Sequence, residues 1–142
     1  MIAEPMQVMI SRADQQRLQR IIHALRASMP GGGHWRLPLN ALEQRIMHSE
    51  TVDDAAIPPA VVTMNSTVCL REIGNEGRSD VLTLVFDADP FGGSVSVLTP
   101  LGIALLGARV GDVVEWSTRR GLRRAVIERI VFQPEAAGEV DQ

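Results

Sequence analysis

Val95–Trp116, VSVLTPLGIALLGARVGDVVEW, decides how this chain is read, because it spells a strand, a short buried helix and a second strand in one line. Val95 and Val97 alternate with Ser94 and Ser96 as a half-buried strand does. Thr99–Pro100 then supplies a helix N-cap followed by proline at the first helical position. Leu101, Ala104 and Leu105 recur at spacings of three and four, and Leu106 widens the apolar face. Gly107 can close the helix in the left-handed conformation that other residues avoid. Val110-Gly111-Asp112 turns the chain into Val113, Val114 and Trp116, so a two-turn helix is expected between two strands.

Downstream and upstream of that segment, further strands can be read. Val62, Met64, Ser66, Val68 and Leu70 form one phase of a long strand, and Thr63, Asn65, Thr67 and Arg71 the other, up to Gly74-Asn75-Glu76-Gly77. Asp80 to Asp87, Ser94 to Leu98 and Gly111 to Thr118 give three more strands. Gly121 turns a last hairpin into Arg123 to Phe132. Five mostly antiparallel strands with one short helix between the third and fourth make an α+β domain over residues 60–134.

The N-terminal third has helical periodicity. Ser11 with Asp14 three residues on is a capping box, and Leu18, Ile21, Ile22 and Leu25 follow at i, i+3, i+4 and i+7. Pro30-Gly31-Gly32-Gly33 breaks that helix, and Pro38 restarts a second one with Leu39, Leu42 and Ile46 as its stripe. Residues 1–50 are therefore expected as a short antiparallel helical hairpin, too small to be stable without docking on the rest of the chain. Thr51 to Pro59, with two acids and a Pro-Pro pair, is expected as a linker, and residues 135–142 as an acidic flexible tail.

At 142 residues and 45% hydrophobic content the chain suits one ordinary domain plus an appendage. No apolar run reaches the roughly 18 residues that span a bilayer, and Met1 to Ile10 lacks the pattern of a signal peptide, so a cytoplasmic protein with no membrane partner is expected. One cysteine, Cys69, cannot form an intrachain disulfide. Six arginines (Arg12, Arg17, Arg20, Arg26, Arg36, Arg45) stand against Asp14, Glu43 and Glu50 between Ser11 and Glu50. Glu135, Glu139 and Asp141 make the end purely acidic.

Enzyme signatures are missing. His23, His34 and His48 lack metal-ligand spacing, no Ser-His-Asp pattern or paired carboxylate is visible, and Gly31-Gly32-Gly33 follows a helix instead of joining a strand to one. No metal, cofactor or catalytic residue is expected. Arg119, Arg120, Arg123 and Arg124 flank Gly121 and could face phosphate or an acidic protein surface. Without interleaved aromatics, and on a net acidic chain, sequence-specific nucleic-acid binding is not expected.

Several stretches together resemble the Gre family of RNA polymerase cleavage factors, and within that superfamily its Rnk branch, the regulators of nucleoside diphosphate kinase. They are Val61-Val62-Thr63-Met64-Asn65-Ser66, Thr99-Pro100-Leu101-Gly102 through Ala104-Leu105-Leu106-Gly107 with Val110-Gly111-Asp112, and Gln133-Pro134-Glu135-Ala136-Ala137-Gly138. The resemblance implies an FKBP-like C-terminal domain that docks on the rim of the polymerase secondary channel and a hairpin that points into that channel. It makes Thr99, Pro100 and Leu101 the docking edge, although a plain helix start would explain the same residue types. One of Leu105 and Leu106, about 100° apart on a helix, is expected to join the apolar patch, with Arg109 and Asp112 on its charged rim.

In cleavage factors the hairpin tip carries acids that help hold a catalytic magnesium ion. Here the tip, Gly32, His34, Trp35 and Arg36 included, has no carboxylate, and magnesium wants oxygen ligands. About 18 helical residues also give a hairpin only roughly 27 Å long. Both departures imply a regulator, expected as a monomer, that competes with Gre-type factors without stimulating cleavage. Trp35 is expected to cap the apolar end of the hairpin, with a partner anchor as the other reading. The rival assignments are a peptidyl-prolyl isomerase, which this tyrosine-free chain can scarcely furnish with an aromatic pocket, and a cleavage factor.

Overall fold

The computed structural model describes residues 8–29, 33–74 and 78–138. Strand β1 (Met9–Ser11) leads into helix α1 (Arg12–Ser28), and a 3-10 turn (Gly33–Trp35) leads into α2 (Arg36–Met47). Strand β2 (Glu50–Val52) and a 3-10 turn (Asp54–Ala56) follow. The remainder comprises β3 (Thr67–Glu72), β4 (Ser79–Val85), β5 (Ser94–Ser96), α3 (Pro100–Leu105), β6 (Val113–Thr118), β7 (Gly121–Phe132) and α4 (Pro134–Ala137). No helix among the described residues is long and apolar enough to cross a membrane.

The five-stranded sheet has the order β5-β4-β3-β7-β6. Its pairings are antiparallel except β4 with β5, where Thr83 to Val85 run parallel to Ser94 to Ser96. The sheet is therefore mixed, a correction to the antiparallel expectation. The reversal needed for an antiparallel neighbour is undone in the 86–93 loop. There the Asp89 carboxylate accepts from Phe91 N, Ser94 Oγ accepts from Asp89 N, and Gly92 and Gly93 adopt positive φ.

Regular pairing in the first strand starts later than alternation suggests, at Thr67. Ahead of it, Val61, Val62, Thr63 and Met64 are all buried, so neither phase is wet. The Ser66 side chain accepts from Thr63 N and Ser66 N donates to Thr63 O, a tight turn that places Asn65 at φ 67°. This run is fastened by single bonds instead of a ladder: Val62 N donates to Ala108 O and Gly107 N to Val62 O.

The expected linker is partly structured, since β2 pairs parallel with β1 from Met9–Glu50 to Ser11–Val52. The start of the expected tail is also held. Gln133 Nε2 donates to Pro58 O and Val61 O, and Thr63 Oγ1 donates to Glu135 Oε1. Gly138 closes α4 at φ 78°. The later tail residues, and the Asn75-Glu76-Gly77 part of the expected turn, lie outside the described residues.

One apolar core joins the hairpin to the sheet. Leu18, Ile22, Leu39, Leu42 and Ile46 belong to the same buried cluster as Val68, Leu84, Leu105, Val114 and Ile127. The apolar stripes of α1 and α2 are thereby covered by the sheet domain as well as by each other.

Candidate functional site

The Thr99–Pro100 corner is built from local hydrogen bonds that finish β5 and begin α3. Ser96 O accepts from Thr99 N and from Thr99 Oγ1, and Thr99 Oγ1 accepts from Gly102 N at 3.1 Å. That is the N-cap the sequence implies, with Pro100 at the first helical position where its missing N–H costs nothing. Gly102 is required by crowding, since a Cβ there would run into the Ser96 carbonyl. Pro100 is exposed and Leu101 half-buried, so the corner offers a rigid apolar edge to solvent.

The other candidate residues of this segment lie elsewhere. Leu105 and Leu106 are both fully buried, against the expectation that one would join a surface patch. At φ −59° Leu106 keeps its helical placement, and both side chains are covered because α3 is enclosed on two sides, by β6 and by α2. Arg109 sits at the far end of α3. Its N donates to Asp112 Oδ2, and its guanidinium lies against Met9 Sδ at 3.6 Å, with Nε buried and unpaired. It faces the N-terminal strand, not the corner.

The hairpin is anchored at its root. The buried Asp14 Oδ2 accepts from Met64 N at 2.9 Å, and Ser11 Oγ accepts from Asp14 N. Burial is the main force pushing the Asp14 carboxyl up to about 6, with help from Glu135, against the opposing pull of the Met64 N–H and of Arg17 at 3.9 Å. On the other helix, Arg45 donates through Nε to Leu106 O and through Nη2 to Ala104 O, both at 2.9 Å. It thereby caps the last carbonyls of α3, and its desolvation lowers the guanidinium pKa. Arg12 pairs with Asp53, and Ala13 N donates to Asp54 Oδ1.

Among the described residues, nothing comparable ties the opposite end to the sheet. Among the described residues, the polar links there run between the two helices: Arg26 donates to Glu43 Oε2 and Asn40 Oδ1. His34 and Arg36 are exposed, and Trp35 is half-buried against the core with its ring centroid 5.0 Å from that of His34. Trp35 thus packs onto the core at the start of α2. Gly32 lies outside the described residues. Glu43, the acid on α2, is ion-paired with Arg26 at 2.9 Å. Among the described residues no group of three or more His, Cys, Asp or Glu is placed to hold a metal ion.

The four-arginine hairpin divides in two. Arg123 pairs with Glu72 and lies over the Trp116 ring at 5.9 Å from its centroid, while Arg124 Nε meets Glu115 Oε1 at 2.8 Å. Arg119 and Arg120 are exposed without an acidic partner among the described residues. Two free guanidinium groups are a weak phosphate track. Reading along the chain missed Arg45, the Asp14–Met64 bond and the Glu72–Arg123–Trp116 group, because each joins residues distant in sequence with no local pattern to announce them.

Residues 57–131 match the family model described as "Transcription elongation factor, GreA/GreB, C-term". The chain is 36% identical over 107 residues to the regulator of nucleoside diphosphate kinase of Escherichia coli K12, covering 72% of this chain and 78% of that protein. It is 35% identical over 85 residues to transcription elongation factor GreA of Streptococcus gordonii, covering 58% of this chain and 52% of that one. Among solved structures, a transcription elongation factor GreA/GreB from Nitrosomonas europaea superposes with a TM-score of 0.69 at 37% identity, covering 90% of this chain and all of that one. The corner, the capped helix and the root-anchored hairpin thus sit within a known frame, and the chain belongs to the GreA/GreB transcription elongation factor family, on the side of the regulators of nucleoside diphosphate kinase.

Proposed function

We propose that this protein is a non-catalytic regulator that binds RNA polymerase at the rim of the secondary channel and competes there with Gre-type factors without stimulating transcript cleavage. The docking edge is Thr99, Pro100 and Leu101: a capped, proline-stiffened corner that loses little conformational freedom on binding. The observation that carries the non-catalytic part is the tip. Among its described residues His34 and Arg36 are exposed, and Glu43 is paired with Arg26 on the neighbouring helix. A tip of this chemistry does not supply the carboxylate oxygens a magnesium ion needs.

The ties at the hairpin root support a rigid presentation of the two helices to a partner. The test uses cognate core RNA polymerase. The wild-type chain is expected to bind and to be displaced by a Gre-type factor, Pro100→Glu to bind at least tenfold more weakly, and a backtracked complex to release no short 3′ RNA when the chain is added. Absence of binding, or RNA release above the polymerase's own rate, overturns the reading.

A further inference from the structure

The two edges of the five-stranded sheet are not alike. At one, β5 spans only Ser94–Ser96 and the chain leaves it at once for the Thr99–Pro100 corner, so little edge is left to pair with. At the other, β6 runs from Val113 to Thr118 without a proline to block pairing. Its neighbour β7 takes one side of it. Ile127 N donates to Asp112 O across that side, and Arg124 O accepts from Ile73 N on the side facing β3. Bonded positions alternate along an antiparallel pair, so Asp112, Val114, Trp116 and Thr118 bond to β7, while the N–H and C=O groups of Val113, Glu115 and Ser117 point away from it. Among the described residues these outward groups make no further backbone hydrogen bond. Such an edge is a template for another strand.

Charge says which strand fits. Arg119 and Arg120, at the turn that ends β6, are exposed and have no acidic partner among the described residues. At the other end of β6, Asp112 and Glu115 border a cavity of about 280 Å³ that opens toward Ala104 and Gly107. Arg45 lines it too, but its Nε and Nη2 are turned to the carbonyls of Leu106 and Ala104. A strand acidic at its start and basic at its end complements a copy of itself run antiparallel. The twofold axis cannot sit on Glu115, because like charges directly opposite are destabilising. On Val114 it would set Trp116 opposite Asp112 and carry the basic turn past the acids. On Trp116 it sets the two indoles opposite each other at a non-hydrogen-bonded pair, where side chains come closest. That register places Glu115 opposite Ser117, brings Arg120 opposite Asp112, and leaves Arg119 diagonal to Glu115, within reach of a long side chain.

We propose that two copies of this chain pair antiparallel along β6, about a twofold at Trp116, joining their five-stranded sheets into one, with the Arg119–Arg120 turn of each copy seated against Asp112 and Glu115 of the other. The pairing does not depend on polymerase docking, and it departs from the monomer that the sequence suggests. Both copies use the same patch, as a closed twofold contact requires, so the assembly stops at two. A single short strand pair is a small contact, which makes the association reversible and dependent on concentration.

Sedimentation velocity of the full chain over a rising concentration series tests it, with thermal melts alongside. Wild type is expected to pass from monomer to dimer. Ser117→Pro removes an outward N–H and no bond to β7, a position where an edge strand accepts proline. It should weaken the dimer by roughly tenfold or more while the monomer's melting temperature is kept. Charge exchange needs no proline. Arg119→Glu and Glu115→Arg should each weaken self-association, since each brings like charges together across the axis. An equimolar mixture of those two variants should restore it, because both cross-axis contacts in the mixed dimer are then of opposite sign. A purely structural effect of either substitution would not be repaired by mixing. Wild type that stays monomeric throughout the series overturns the proposal, and so does a dimer that folded Ser117→Pro leaves intact. A mixture that associates no more tightly than either variant alone overturns the Trp116-centred register and the proposal with it.

Discussion

The two ends of the helical hairpin obey different physics. At the root, Asp14 and Arg45 are drawn into low-dielectric surroundings and matched to backbone groups of the sheet domain, Met64 N and the carbonyls of Ala104 and Leu106. Toward the tip, Arg26 stays within the hairpin, and Arg36 opens α2 with no acidic residue in the first turn. A charge at a helix N-terminus is expected to be negative on dipole grounds, so Arg36 goes against local stability. The root is therefore optimised for holding and the tip is not, which is what separation of support from contact looks like in a small chain.

The contrast can be broken first at the root. Leu42, fully buried in the shared core, should cost about 2–5 kcal/mol when changed to alanine, measured by urea denaturation, and the loss should be global because one core serves both halves. A separate unfolding of the hairpin with the sheet left intact would show that the root does not couple them.

Asp14 sharpens the comparison through pH. Its folded carboxyl titrates near 6, above the ordinary 3.8, so the folded state prefers the protonated form. Its contribution to stability is fully present below about pH 4 and is lost as pH rises through 6. Asp14→Asn keeps a side-chain acceptor for Met64 N and removes the titration. The variant should gain on wild type by roughly 1–3 kcal/mol between pH 4 and 7.5, read from paired denaturation curves. A constant difference between the two proteins over that window would dismiss the buried-carboxyl account.

The smallest effect belongs to the tip. Arg36→Glu should change stability by no more than about 0.5 kcal/mol, and in the stabilising direction, because a carboxylate suits the start of α2. A loss of more than about 1 kcal/mol would mean that the tip is structurally engaged after all.

Much of this architecture is written locally. The Thr99–Pro100 cap, the Ser11–Asp14 cap and the stripes Leu18–Ile22 and Leu39–Leu42–Ile46 follow from spacing and capping chemistry, and the structure contains each of them. What spacing could not give is non-local. Val62–Ser66 alternates like a strand, yet the Thr63–Ser66 turn and burial from both sides take it out of the ladder. The parallel β4–β5 pair depends on how the 86–93 loop returns the chain, and no alternation pattern encodes that direction. Leu105 and Leu106 are both buried because β6 and α2 enclose α3 from two sides, which helical spacing alone does not encode. At the candidate site, the corner was legible because an N-cap is a local device, while the Glu72–Arg123–Trp116 group was not, since its members meet only in the folded sheet.

The long-range ties at the root also set a timetable for synthesis. Met9 meets Arg109 across 100 residues, and Arg45 meets Ala104 across 59. At roughly 5–20 residues per second, the first residues wait on the order of 5–20 s before their partners have been made. Throughout that interval α1 and α2 lack Leu105, Val114 and Ile127, the last-made part of their shared core. A nascent chain stalled near residue 100 should consequently expose Leu39, Leu42 and Ile46, making the waiting hairpin the stretch of this protein most in need of a chaperone.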